Sequence, residues 1–157
     1  MNTVLLIGAS RGIGASIALE LARKGVKVRV ITNSLAATDV MAVHSGYARH
    51  RRALLDAGIE VFELKPDAAA PTRRAKLPRG FSLGSSSAAS LHGKTFVVDG
   101  RHVFVGSFNL DPRSAQLNTE MGLTVDSAAL AKDLVEGINR DLLTTTYRLA
   151  LSANGTL

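Results

Sequence analysis

The sequence predicts an α/β fold built on a mixed sheet of about six or seven strands, and three observations support this. Short β-branched runs alternate with amphipathic helical stretches over residues 4–64, a pattern typical of parallel strands joined by helices. Asp99-Gly100 separates two further β-branched runs and predicts an antiparallel hairpin. The chain has 157 residues, of which 46% are hydrophobic, so it can bury one good core and we expect a single domain over residues 1–157.

Three strands and two helices are predicted in the first 64 residues. Gly25 and Gly58 end the two helices, since glycine adopts the left-handed conformation that caps a helix. In the second helix we expect Tyr47 and Leu54 to face inward and the basic run 49–52 to face solvent. The elements are strand Val4–Ile7, helix Ile13–Lys24, strand Val26–Thr32, helix Val43–Ala57 and strand Val61–Leu64.

The second half contains a long aperiodic loop and then a hairpin, a strand, a helix and a last strand. Residues 65–90 carry prolines, serines and the basic side chains of Arg73, Arg74, Lys76 and Arg79. Such a loop either gathers an anionic substrate or is solvated without a ligand. The elements that follow are the hairpin Lys94–Val98 and His102–Val105, strand Met121–Val125, helix Ala128–Leu142 and strand Tyr147–Leu151.

A glycine-rich turn follows the first strand. Gly8, Gly12 and Gly14 have the spacing that lets a pyrophosphate approach backbone amides and a helix N-terminus, and Arg11 suits a 2′-phosphate. Residues 3–14 resemble the opening of a short-chain dehydrogenase. This resemblance implies a dinucleotide-binding, Rossmann-like first strand, turn and helix.

The remaining residues do not support a dehydrogenase. The family's Tyr-x-x-x-Lys pair is missing, because Arg51 follows Tyr47 at that spacing and Leu151 follows Tyr147. No acidic residue follows the second strand to bind a ribose hydroxyl. We therefore expect no cofactor, with NADP as the one nucleotide that the residues leave open.

The chemistry is predicted to lie further along the chain. His92, Lys94 and Asp99 form the pattern H-x-K-x4-D, and Ser107 and Asn109 follow in a Gly-Ser-x-Asn run. A histidine nucleophile suits attack on a phosphodiester when a lysine two residues away holds the anionic oxygens, because alternate strand residues point the same way. The hydroxyl and the amide add neutral donors.

These motifs resemble the phospholipase D superfamily, in particular its cardiolipin synthase-like bacterial branch. The resemblance covers about residues 25–157 and includes the runs 30–34, 43–47, 58–61 and 118–120. It implies a three-layer domain with helices on both faces of the sheet. Residues 1–24 then form a dehydrogenase-like segment in front of a phospholipase D-like half, so the chain is interpreted as a hybrid or engineered chimera.

The resemblance implies a two-step transfer without a metal. His92 attacks phosphorus and forms a phosphohistidine, while Lys94 and Asn109 stabilise the developing charge and Ser107 assists. Glu120 accepts the other imidazole N–H of His92 and fixes its tautomer. Asp99 belongs to the motif, but the resemblance gives it a mainly structural role, and the sequence allows it to be simply a turn former.

One departure from the family pattern concerns the number of motifs. The superfamily builds its site from two H-x-K motifs, and this sequence contains one. Either two chains associate about a twofold axis and each contributes a His92, or the chain is an isolated half with poor activity. We expect a homodimer to be needed for a complete site.

Charge and composition limit the partners. Nineteen Lys and Arg against thirteen Asp and Glu give a net charge of +6, which favours an anionic phosphodiester substrate, and the family resemblance favours phospholipid over nucleic acid. There is no cysteine for a disulfide or a thiolate metal site. We expect a cytoplasmic protein with peripheral contact to the inner membrane. The competing hypotheses are an NADP-binding module and a folded but inactive chimera.

Overall fold

The computed structural model of the chain describes residues 2–8, 12–37, 47–66, 94–110, 112–152 and 154. These residues contain seven strands: β1 (Thr3–Ile7), β2 (Lys27–Asn33), β3 (Glu60–Leu64), β4 (Thr95–Val98), β5 (His102–Gly106), β6 (Gly122–Asp126) and β7 (Thr146–Arg148). They also contain four helices: α1 (Gly12–Arg23), α2 (Arg51–Asp56), α3 (Pro112–Gln116) and α4 (Ala128–Thr145).

All seven strands form one mixed sheet in the order β6-β5-β4-β1-β2-β3-β7. The three strands of the first half, β1, β2 and β3, run parallel to one another. The hairpin β4–β5 joins this parallel part through β4, which pairs antiparallel with β1. On the other side of the hairpin, β5 pairs antiparallel with β6. The predicted α/β class and mixed sheet are therefore confirmed.

Helices cover both faces of the sheet, as expected. On one face, α1 and α2 pack over a core built around the buried side chains of Ala18, Leu54, Val30 and Val61. On the other face, α4 covers a second core that includes Ala131, Leu142, Phe62, Val97 and Val103. The alternation of inward-facing residues along β2 and β3 divides the apolar side chains between these two cores.

Helix α1 ends where the sequence predicts. Gly25 has a φ of +77°, and the backbone N–H groups of Gly25 and Val26 donate to the carbonyls of Ala22 and Leu21 at 2.9 and 3.0 Å. This is the left-handed cap that satisfies the last carbonyls of a helix, and glycine adopts it without steric cost. The cap turns the chain directly into β2.

Some boundaries differ from the predicted ones. In the described part of the second predicted helix, residues 47–48 are helical, residues 49–50 form a turn and α2 begins only at Arg51. Helix α4 continues to Thr145, and the hydroxyls of Thr144 and Thr145 in its last turn donate to the carbonyl of Asp141 at 2.9 and 2.6 Å. Strand β7 consequently spans only Thr146–Arg148. Among the described helices, none is both long and apolar enough to span a bilayer.

Two glycines allow β5 and β6 to approach each other closely beneath an aromatic ring. Gly106 pairs with Gly122, and the ring of Phe104 lies over both. A Cβ on Gly106 would lie 2.5 Å from the carbonyl oxygen of Met121, and a Cβ on Gly122 would lie 2.4 Å from the Phe104 ring. Phe104 itself stacks on Phe96 with ring centroids 4.6 Å apart. No larger residue fits at either glycine without moving the strand pair.

We predict that Gly106→Ala lowers the free energy of unfolding by about 1–3 kcal/mol, because its Cβ meets backbone that cannot move aside. Urea unfolding followed by circular dichroism measures the change. Gly137→Ala is the matched control, since Gly137 lies within α4 and its Cβ would meet nothing within 4 Å. That control gains about 0.5–1 kcal/mol from helix propensity. Equal stability of the Gly106→Ala variant and the wild type would contradict the close approach of β5 and β6.

Candidate functional site

Polar side chains from three separate elements meet at the edge of the sheet where the parallel strands end. Lys94 directly precedes β4, Ser107 directly follows β5, and Glu120 lies two residues before β6. Because β4 is antiparallel to β1, with Thr95 opposite Ile7, the start of β4 falls beside the carboxyl end of β1. The carbonyl of Lys94 accepts a hydrogen bond from the N–H of Gly106 at 3.2 Å, which joins the first element to the second.

Ser107 and Glu120 form the central hydrogen bond of this edge. The Ser107 hydroxyl donates to Oε2 of Glu120 at 2.5 Å and accepts the N–H of Met121 at 3.0 Å. The backbone N–H of Ser107 donates to the carbonyl of Met121 at 2.8 Å. Oε1 of Glu120 accepts a further hydrogen bond from the amide of Asn118 at 3.1 Å. The carboxylate is therefore oriented through both of its oxygens.

These contacts keep Glu120 ionised. Hydrogen bonds from Ser107, then Ser114 and Asn118, together with the nearby positive charge of Lys94, lower the pKa of Glu120 below its ordinary value. A carboxyl group whose pKa is lower in the folded chain stabilises the fold at pH values above its unfolded pKa. This contribution disappears as the pH falls through the lowered pKa. The charge of Lys94 is the smallest of these contributions to the lowered pKa.

The role predicted for Ser107, which is to assist in stabilising the developing negative charge, stays a prediction. The hydroxyl proton of Ser107 is directed at Glu120, so in this structure the group orients a carboxylate. Asn109 is exposed in the loop that follows β5, where its amide is accessible. Lys94, Ser107 and Glu120 are thus brought together at this edge. Asn109 lies in the loop that follows β5, two residues after Ser107.

Asp99 lies apart from this group. It occupies the hairpin turn at the far end of β4, with a φ of 52°, whereas Lys94 lies at the near end. Its carboxylate accepts the N–H of Thr3 at 2.8 Å, and its own N–H donates to the Thr3 carbonyl at 2.7 Å. The contacts of Asp99 thus fasten the turn to the start of β1, which supports the structural interpretation of the residue and not a catalytic one.

The glycine-rich turn reaches the same edge of the sheet, but the amides of Gly8 and Gly14 donate to carbonyls within the protein. The N–H of Gly14 donates to the carbonyl of Leu110 at 3.0 Å, and the N–H of Gly8 donates to Ile31 at 2.9 Å. Gly12 begins α1 with a φ of 54°. The turn therefore holds the loop that carries Asn109 against α1, and two of the amides that a pyrophosphate would need already have acceptors.

Several predicted residues lie outside the described part of the chain. They include the proposed nucleophile His92 and the proposed phosphate ligand Arg11. The same holds for the other loop residues between 67 and 93. Their roles stay predictions.

Two contributors to the site were not predicted as site residues. Asn118 and Ser114 both help to hold Glu120 in its charged form. The sequence contains a signal for the first, because Asn118 and Glu120 are two positions apart. The second needs the fold, since Ser114 lies in α3, six residues before Glu120, and is buried with 4% of its surface exposed.

Arg51 was wrongly predicted to face solvent. Its guanidinium donates to Glu63 through Nε at 2.8 Å, has a second contact to the same oxygen at 2.6 Å, and lies 5.1 Å above the ring of Tyr47. Glu63 and Tyr47 are buried, and this burial, followed by the charge of Glu63, raises the pKa of the Tyr47 phenol well above its ordinary value. A buried carboxylate needs a cationic partner, which explains why the helix turns Arg51 inward.

The described part of the chain contains two histidines, His50 and His102. His102 is exposed on the hairpin, and His50 is half-buried beside α1 with no hydrogen-bond partner for Nε2 among the described residues. Among the described residues, no three His, Asp or Glu side chains are grouped so that they could hold a metal ion.

The sequence matches a known family over most of its length. The family described as cardiolipin synthase, PLD-like domain, where PLD denotes phospholipase D, matches residues 5–142. The chain belongs to this PLD-like family. The match begins within β1 and includes the glycine-rich turn and α1, which the sequence interpretation assigned to a dehydrogenase-like segment. The hybrid origin of residues 1–24 is therefore not confirmed.

Relatives and solved structures agree with this membership. Cardiolipin synthase C of Escherichia coli K12 is 50% identical over 119 residues, which cover 76% of this chain but only 24% of that protein. The human 5′-3′ exonuclease PLD4 is 40% identical over 57 residues, or 36% of this chain and 11% of that protein. The phospholipase D family member Nuc from Salmonella typhimurium has the same fold, with a TM-score of 0.64 at 14% identity over 94% of this chain and 81% of that one.

We predict that Ser107→Ala raises the pKa of Glu120 toward that of an ordinary carboxyl group, because the hydroxyl is the largest cause of its lowering. A carbon-13 NMR titration of the glutamate side-chain carboxyls measures this pKa. Ser152→Ala removes an exposed serine near the end of the chain and leaves the midpoint unchanged. The same midpoint in Ser107→Ala and the wild type would show that the Ser107–Glu120 hydrogen bond is not formed in solution.

Proposed function

We propose that this PLD-like domain transfers a phosphodiester through a covalent phosphohistidine on His92. The observation that carries the proposal is the meeting of Lys94, from the H-x-K motif, with Ser107 and Glu120, from the motifs that follow, at one edge of the sheet. A cation and an oriented carboxylate beside an imidazole suit nucleophilic attack on phosphorus.

The proposed reaction has two steps, in which a phosphohistidine forms and then breaks down. An imidazole nitrogen of His92 attacks the phosphorus, and the bond between phosphorus and the leaving alcohol oxygen breaks as that oxygen takes a proton from a general acid. In the second step, water or another alcohol attacks the same phosphorus and loses its proton to the group that acted as acid. The phosphorus–nitrogen bond then breaks and His92 is regenerated.

The residues at the edge have separate roles in this proposal. Lys94 and Asn109 stabilise the negative charge that develops on the phosphoryl oxygens. Glu120 accepts an N–H from His92 and fixes the tautomer that can attack. Ser107 acts as a positioning residue, since its hydroxyl holds Glu120 in place.

The proposed substrate is a phospholipid. The relative with 50% identity is named cardiolipin synthase C, and the chain carries a net charge of +6 that favours anionic head groups. Nucleic acid is the second candidate, because a shorter match is named an exonuclease. Peripheral contact with a membrane surface follows from the first candidate.

The general acid is proposed to come from a second copy of the chain. The sequence contains one H-x-K motif, and the reaction needs a second protonated group for the leaving alcohol. The chain spans about a quarter of the length of the E. coli relative, so that protein has more than enough residues for another such unit. Two copies would supply two equivalent histidines.

We predict that His92→Ala lowers phosphodiester turnover by about a thousandfold or more, because the nucleophile is lost. The assay follows release of the head-group alcohol from phosphatidylglycerol vesicles. His102→Ala removes a surface histidine at the opposite end of β5 from the site and keeps wild-type turnover. Wild-type turnover in His92→Ala would refute the assignment.

The same assay run with single-stranded DNA separates the two candidate substrates. The lipid proposal expects turnover with vesicles to exceed turnover with DNA at equal phosphodiester concentration. Higher turnover with DNA than with vesicles, again lost in His92→Ala, would support the proposed chemistry and show that the substrate is nucleic acid instead of phospholipid.

A further inference from the structure

A shallow groove runs along α1, on the face of the sheet opposite α4. Its volume is about 610 Å³, and it lies between α1 and the turn that precedes α2. Part of its lining is an apolar stripe, because Ile13, Ile17 and Leu21 follow one another at intervals of four residues and so share one side of the helix. The remaining lining residues are Gly12, Ser16, Glu20, Arg49 and His50. We call this feature the α1 groove.

The apolar stripe is not used up by the packing of α1 on the sheet. Ala18 is fully buried in the core on this face, and Leu21 packs against that core while it also borders the groove. Among the described residues, neither of the two cores includes Ile13 or Ile17. Ile17 exposes 37% of its surface. These side chains are therefore available to an apolar ligand.

The charges around the α1 groove favour an anion. The carboxylate of Glu20 lies 3.7 Å from Arg23 and 3.5 Å from Lys24, so its charge is compensated along the helix. Arg49 is exposed, and its guanidinium has no ion-pair partner among the described residues. An uncompensated cation thus stands beside the apolar stripe.

His50 adds a second polar group to the groove. Its ring lines the groove, and its Nε2 is shielded from solvent and has no hydrogen-bond partner in the described part of the chain. A buried nitrogen without a partner costs free energy, and a ligand oxygen that reaches it would offset that cost. Arg49 and His50 are adjacent, so both can serve one polar head.

The α1 groove begins beside the candidate site. Ile13 lies in the first turn of α1, and the N–H of the next residue, Gly14, donates to the carbonyl of Leu110 at 3.0 Å. Leu110 directly follows Asn109. From Ile13 to Leu21 the helix rises about 12 Å, a length that a medium-chain alkyl group can follow. A ligand in the groove would thus start next to the loop that carries Asn109.

We propose that the α1 groove binds one molecule of a free fatty acid. The alkyl chain lies against Ile13, Ile17 and Leu21, where its removal from water is favourable, and the carboxylate pairs with Arg49. A single stripe of side chains suits a ligand with one chain. Because a fatty acid contains no phosphorus, this binding does not rest on the proposed function.

Calorimetric titration with laurate, below its micelle-forming concentration, tests the binding. The wild type is expected to bind one laurate per chain. Ile17→Glu is expected to weaken binding at least about tenfold, because it places a carboxylate in the apolar stripe. Leu143→Glu is the matched control and keeps wild-type affinity, since Leu143 is an exposed apolar residue of α4. A flat titration of the wild type, or an equal affinity loss in both variants, would overturn the proposal.

The contact to the carboxylate is tested separately. Arg49→Gln is expected to weaken laurate binding about fivefold or more, because the charge-assisted hydrogen bond is lost. Arg140→Gln, at an exposed position of α4, leaves the affinity unchanged. Dodecyltrimethylammonium has an alkyl chain of similar length and the opposite charge, and we expect it to bind more weakly than laurate. Equal affinity for the two amphiphiles would refute the role of Arg49 and with it the proposal.

Methyl NMR locates the ligand. Laurate is expected to shift the methyl signals of Ile13, Ile17 and Leu21 and to leave those of Leu143 in place. Circular dichroism verifies that each variant is folded, and Ile17→Ser replaces Ile17→Glu if the charged variant does not fold. Shifts confined to methyl groups outside the groove would overturn the proposal.

Two further measurements separate this proposal from its alternatives. Lauroyl-lysophosphatidylglycerol carries the same chain on a phospholipid head, and tighter binding of this lipid than of laurate would show that the ligand is not a fatty acid. His92→Ala is expected to bind laurate like the wild type, because binding needs no turnover. Normal laurate binding without His92-dependent turnover would therefore reject the proposed function and keep the groove. Turnover without laurate binding would do the reverse.

Discussion

The antiparallel return of β4 beside β1 is the constraint on which the site depends. The pairing of Ile7 with Thr95 sets the register, so the chain before β4 emerges at the carboxyl edge of the parallel strands. The hairpin then returns Ser107 to that edge. A shift of one residue in this register would turn Lys94 to the opposite face of the sheet and separate it from Glu120.

The close packing of β5 and β6 fixes the positions of Ser107 and Glu120 relative to each other. Gly106 and Gly122 let the strands meet under Phe104, and the backbone bonds between Ser107 and Met121 continue the pairing just beyond the strands. The Ser107 hydroxyl can then reach the carboxylate of Glu120. The Ser107 side chain is thereby used to position another group, which leaves Lys94 and Asn109 as the proposed contacts to the phosphoryl oxygens.

The sequence predicts the fold better than it predicts the details of the site. Period-2 and helical apolar patterns, together with the Asp99-Gly100 turn and Gly25, identify the strands and α1 because local conformational preferences and burial agree there. The inward turn of Arg51 could not be predicted, because it depends on Glu63 in another element. The hydrogen bond of Ser114 to Glu120 could not be predicted for the same reason. The glycine spacing predicted a nucleotide-binding turn. Only the fold shows that the carbonyl of Leu110 accepts a hydrogen bond from the N–H of Gly14.

Trapping the covalent intermediate tests the central claim most directly. Wild-type protein turning over phosphatidylglycerol is quenched in alkali, where a phosphorus–nitrogen bond survives, and the peptides are analysed by mass spectrometry. The account predicts a phosphatidyl adduct on His92 and none on His102. Turnover with His92 unmodified, or an adduct on another residue, would contradict it.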